Sequence, residues 1–120
     1  MLSKGIVIDS YEDEAIYYCS IAPDIELRSL CYELMGLNLY NLVKNNFDGT
    51  GQNWDELSRV CHRAVGYVDV CIRGSIGGMF ESDPAGREGE KICKLVDTNN
   101  EYEICIDDVN ERRRQFEWNI

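Results

Sequence analysis

The chain has 120 residues, room for one domain with a real core, and 44% of them are hydrophobic, which excludes wholesale disorder. Its 22 acidic and 12 basic side chains leave a net charge of −10, a balance that repels nucleic acid and anionic membranes and favours a basic partner. Charges such as Glu26, Arg28, Glu33 and Lys44 interrupt the apolar stretches, so no membrane-spanning run is present, and the four-residue apolar run near Met1 is too short for a signal-peptide core; a cytoplasmic protein is expected.

Residues 5–9 carry Ile6, Val7 and Ile8, a short apolar run suited to a buried strand. Ser10 then reads as the cap of a helix over 11–20, with Glu12, Asp13 and Glu14 in its first turn against the positive end of the helix dipole. Pro23 or Asp24 starts a central helix whose apolar stretch runs over 25–43. Leu27, Leu30, Leu34 and Leu37 share one face at helical spacing, broadened by Cys31, Met35 and Leu42, and this face is expected to be the core. Gly36 marks a kink or a split, because glycine inside a helix costs about 1 kcal/mol relative to alanine.

Residues 45–53 form a polar loop, and Asn53 with Glu56 opens the next helix, where Trp54, Leu57, Val60, Cys61, Ala64 and Val65 recur at helical spacing until Gly66. Residues 67–73 put Val68, Val70 and Ile72 on one face and Asp69 and Arg73 on the other, with Cys71 between them, the pattern of a strand. Five glycines and Pro84 make 74–89 an irregular connector, a candidate contact loop. Residues 91–97 and 101–107 read as an antiparallel hairpin turning at Thr98-Asn99-Asn100, and 108–120 as a last helix packing Val109, Phe116 and Ile120 inward. The expected fold is thus α+β over a single domain of residues 1–120: about four strands, including an antiparallel C-terminal hairpin, with three to five helices.

No residue pattern identifies a reaction, a cofactor or a metal. The six cysteines lack any C-x-x-C pair and sit among apolar neighbours, as in Val70-Cys71-Ile72, so they read as small buried hydrophobes rather than disulfides or zinc ligands. Cys61 and His62, adjacent on a helix, point about 100° apart and are poorly placed to share a proton. Gly74-Ser75-Ile76-Gly77-Gly78 lacks the lysine and following helix of a phosphate loop. Arg112, Arg113 and Arg114 read as a salt-bridged face.

The expectation is therefore a non-catalytic acidic inhibitor that binds a basic protein, a bacterial toxin nuclease neutralised by its immunity protein being the best fit. Its partner-binding residues are expected in two acidic runs: Glu12, Asp13 and Glu14, and Asp107, Asp108 and Glu111. A phage antagonist of host defence is the alternative, either a DNA mimic or a pocket holding a small signal molecule between Arg59, Arg63 and Arg73. A small enzyme using His62 or a cysteine is the third.

Overall fold

The computed structural model describes residues 4–46 and 54–118, with side chains over 11–44 and 54–115. Among the described residues six helices run in chain order: α1 (Lys4–Ser20), α2 (Ile25–Asn46), α3 (Trp54–Cys61), α4 (Val68–Ser82), α5 (Gly89–Cys93) and α6 (Asn99–Trp118). There is no strand among the described residues, so the α+β expectation is overturned: the fold is all-helical.

Each expected strand fails for a local reason. Residues 5–9 and Ser10 are absorbed into α1, three apolar residues being too few to fix a period. Residues 67–73 belong mostly to α4. There the alternation of Val68, Val70 and Ile72 is a fragment of a longer helical stripe, in which Cys71, Ile72, Ser75, Ile76 and Met79 are buried. The connector expected over 74–89 is helix as far as Ser82 and again from Gly89. The expected hairpin is the junction of two helices. Thr98 is not a turn residue but a helix cap, the backbone N–H of Glu101 donating to its Oγ1 at 3.1 Å. Asp24 caps α2 in the same way, accepting from the Leu27 N–H at 2.8 Å. Gly66, with φ of 85°, ends the turn after α3. Asn53, Phe116 and Ile120 lie outside the residues or side chains described.

α2 and α4 are the centre of the molecule, and glycines on both bring their backbones together. A Cβ on Gly36 would stand 1.9 Å from the Cys71 carbonyl oxygen, and one on Gly74 would stand 2.0 Å from that of Glu33. Gly36 therefore does not split α2, which is continuous over Ile25–Asn46; it is the notch that receives α4. In the same interface the Ser75 hydroxyl donates to the Gly36 carbonyl at 3.0 Å. The core spreads from there: Met35, Leu39 and Val43 of α2, Ile72, Ile76 and Met79 of α4, Leu57 and Val60 of α3, Ile92 of α5 and Val109 of α6.

Three disulfides tie helices that are consecutive in the chain: Cys19–Cys31 joins α1 to α2, Cys61–Cys71 joins α3 to α4, and Cys93–Cys105 joins α5 to α6. The cysteines are buried, as expected, apart from half-buried Cys31, but their chemistry is corrected: all six are oxidised and none is free. Helical hairpins hold facing cysteines at Cα separations of 5.3–5.6 Å, a distance that local sequence does not reveal.

Candidate functional site

α2 is apolar on two sides, and the fold uses only one. Tyr32, Met35, Gly36, Leu39, Tyr40 and Val43 face the core. The leucines expected to be core point outward instead: Leu27 is 48% exposed, and Leu30 and Leu34 are each 50% exposed. With half-buried Leu37 they follow a three–four–three spacing, the seam by which one helix receives another. Glu26 and Glu33, seven residues apart, lie along one edge of that seam, both exposed.

On this edge the seam opens into a cleft of about 440 Å³ between α2, α4 and α6. Leu30, Leu34 and Leu37 form one wall and Phe80 the other. Arg112 lies over the Phe80 ring, 5.8 Å from its centroid, and its Nε–H donates to Asp108 at 3.2 Å. Arg73 lines the same cleft, exposed, with no ion-pair partner among the described residues, and Glu81 also lies on its rim. Sequence reasoning missed this site because it assigned Leu30 and Leu34 to the core and Phe80 to a loop.

The residues expected to bind a partner are scattered. Glu12 is 3% exposed and bound internally: Arg59 donates to its carboxylate at 2.8 and 3.1 Å, and Arg63 donates to it as well. Burial pushes the Glu12 carboxyl up, but the hydrogen bonds and charge of Arg59 and Arg63 outweigh it and hold the group below the ordinary carboxylate range. Glu12 fastens α1 to the segment around α3. Asp13 accepts from Arg63 at 2.9 Å while remaining largely exposed, and Glu14 is exposed. Asp107 is exposed, Asp108 is bound to Arg112, and Glu111 to Arg114. The first run lies on α1, which packs on α2; the second lies on α6, which packs on α4 and α5.

The arginines named for a small-molecule pocket do not converge either. Arg59 and Arg63 serve Glu12, with Glu56 also bound to Arg59, whereas Arg73 stands in the α2–α4 cleft. The arginine run of α6 is salt-bridged throughout: Arg112 to Asp108, Arg114 to Glu111, and Arg113 to Glu90 at 2.8 Å and to the carbonyl of Ala85 at 3.1 Å.

Compared with known proteins, the chain matches no family model, no curated protein and no solved structure. The site must be read from its own chemistry.

One constellation resembles hydrolytic machinery. His62 Nε2–H donates to Asp97 at 2.8 Å, and the Ser58 Oγ lies 3.2 Å from His62 Nδ1. Nδ1, however, also sits 2.7 Å from the Ser58 carbonyl oxygen, which can only accept. With both ring nitrogens facing acceptors, the imidazolium is the form that satisfies them, and a protonated ring cannot take a proton from Ser58. The Asp97 bond, and then that to the Ser58 carbonyl, raise the His62 pKa above its ordinary 6.5. Cys61 beside it is in a disulfide and offers no thiolate. Among the described residues no three histidine, cysteine or acidic side chains converge on a possible metal position.

The His62 tether gives a pH prediction. A raised native pKa means that the charged pair stabilises fully below 6.5 and that this contribution disappears as pH rises through the native value. The ring and Asp97 are both substantially exposed, so the effect is small. The urea midpoint of the natural chain should exceed that of His62→Gln at pH 5.5, and the gap should narrow as the pH rises above 6.5 and through the native value. A constant gap across that range would show that the imidazolium pair contributes nothing.

Proposed function

We propose that the chain is a non-catalytic docking protein that binds a basic protein partner and masks the surface it covers. The observation that carries this reading is the file of half-exposed leucines on α2, with acidic side chains beside it, in a chain of net charge −10. Exposed apolar side chains in file supply the water-excluding centre of an interface, while the surrounding negative field draws a cationic partner in and sets its orientation. The exposed carboxylates of Asp13, Glu14, Asp107 and Glu111 contribute to that field. Glu12 is withdrawn from the partner surface, because its charge is spent inside the fold.

No described helix is long and apolar enough to cross a membrane. Three disulfides favour an oxidising compartment over the cytoplasm expected from the sequence. A toxin nuclease remains a partner of the right charge, provided the two meet where the disulfides persist.

The test is cross-linked capture from the native source, followed by reconstitution with the identified protein. The expected partner is basic, its own activity falls when the chain binds, and affinity drops at least about tenfold between roughly 50 and 500 mM salt. Turnover of a substrate by the purified chain alone would overturn the reading, as would a partner whose binding ignores salt.

A further inference from the structure

We infer that the outer face of α2, with the cleft beside it, receives an amphipathic helix of the partner, apolar on the contact side and carrying lysine or arginine along the Glu26–Glu33 edge. The inference rests on the docking reading above and deepens it by naming what docks.

Its first support is spacing. Leu27, Leu30, Leu34 and Leu37 recur every three and four residues, so they lie in one line down about two turns or more of α2, the line into which the side chains of a second helix interdigitate. A strand or a loop has no matching period. Its second support is shape. The cleft lets a large apolar side chain of the incoming helix pass beyond the leucines to reach the Phe80 ring.

Its third support is charge. Glu26 and Glu33 stand seven residues apart beside the leucine line, where a facing helix places its own flanking charges. Glu81 adds a third carboxylate across the cleft. Arg73, which has no ion-pair partner among the described residues, matches one carboxylate of the incoming helix and fixes which way it runs.

The same charges argue against a second copy as the occupant. Two α2 seams laid antiparallel would set Glu26 and Glu33 of one chain against the same pair of the other. Laid parallel, they would need the opposite edge, where Cys31 is bound to Cys19 of α1 and Asn38 to the Tyr11 hydroxyl. That edge is already taken by α1.

The experiment uses the whole chain with its disulfides and three designed helical peptides of equal length, all with leucine at the contact positions. One carries lysines along both edges and a single glutamate placed for Arg73; the second has lysine there instead; the third carries glutamates along both edges. Fluorescence anisotropy at low salt should show the first peptide binding at least about tenfold more tightly than the third, and more tightly than the second. Leu30→Asp combined with Leu34→Asp should weaken the first peptide at least about tenfold, although it makes the chain more acidic. Asp55→Asn with Glu103→Gln, which removes the same number of charges at exposed positions outside the cleft lining, should leave it within about twofold. Both leucines are exposed, so unchanged circular dichroism verifies that the variant is folded.

If the aspartate variant binds the peptide undiminished, the attraction is general charge and the α2 site is wrong, although the docking reading stands. Failure of every peptide, while the captured partner still binds in a salt-sensitive way, also removes only the helix. A chain that sediments as a dimer, and becomes monomeric with Leu30→Asp and Leu34→Asp, has itself as occupant and overturns the inference.

Discussion

Gly74→Ala should destabilise the protein by about 3 kcal/mol and lower its Tm by roughly 10 °C, whereas Gly77→Ala, three residues along the same helix, should stabilise it. Alanine is the better helix former by about 1 kcal/mol, so propensity alone favours both changes. Space separates them. A Cβ at Gly77 meets only the Arg112 Nη1 at 3.9 Å, an ordinary contact with a flexible side chain. A Cβ at Gly74 meets the carbonyl oxygen of Glu33 at 2.0 Å and its carbon at 2.8 Å, which are backbone atoms of a packed helix. Nothing short of moving α2 relieves that overlap, and moving α2 loosens the contacts of Met35, Leu39, Ile72 and Ile76 together. Thermal unfolding followed at 222 nm checks the pair. Equal stability of the two variants would mean that the helices are not in backbone contact at Gly74.

These glycines also explain why the fold was only partly legible. The start of α2 and its cap at Asp24 follow from Pro23, Asp24 and the apolar period that begins there, and the helix after residue 53 follows from Leu57, Val60 and Cys61. In α4 the stripe Cys71, Ile72, Ser75, Ile76 and Met79 was equally present in the sequence. Gly74, Gly77 and Gly78 disguised it, because glycine clusters usually mark loops, and the same residues let helices touch. Thr98-Asn99-Asn100-Glu101 has the same double meaning. Two asparagines suit a turn, but threonine followed three residues later by glutamate is the sequence of a helix start.

The candidate site shows a subtler ambiguity. Leu27, Leu30, Leu34 and Leu37 form one helical stripe of α2, and Tyr32, Met35, Gly36, Leu39, Tyr40 and Val43 form another. Hydrophobicity ranks the leucines higher. Burial went to the second stripe because it contains Gly36, whose missing side chain lets the α4 backbone come up against that of α2. Close approach, not apolar content, selected the face, and the leucines were left for solvent or a partner. The pairing of Glu12 with Arg59 and of His62 with Asp97 was beyond local reading, since the partners lie 47 and 35 residues apart.

Reduction of all three disulfides should unfold the chain at room temperature. Each bridge closes a short loop, with sequence separations of 12, 10 and 12 residues, and loops of that size constrain the unfolded chain by about 3 kcal/mol apiece. Together they amount to roughly 9 kcal/mol, within the whole stability range of a domain, about 5–15 kcal/mol. The losses are not equal in kind. Replacing Cys93 and Cys105 by alanine releases α5, whose five residues are too short to hold a helix on their own, and Ile92 leaves the core with it. Replacing Cys61 and Cys71 loosens α3 from α4 but leaves Leu57 and Val60 packed. Removing Cys19 and Cys31 should cost least, because Glu12, bound by Arg59 and Arg63, still holds α1 in place. The expected order of Tm is natural chain, then Cys19/Cys31, then Cys61/Cys71, then Cys93/Cys105, with the fully reduced chain showing no cooperative transition. Peptide mapping without reductant should recover Cys19 with Cys31, Cys61 with Cys71, and Cys93 with Cys105. A native chain carrying six free thiols, or one whose melting is indifferent to a strong thiol reductant, would place its rigidity in helix packing alone.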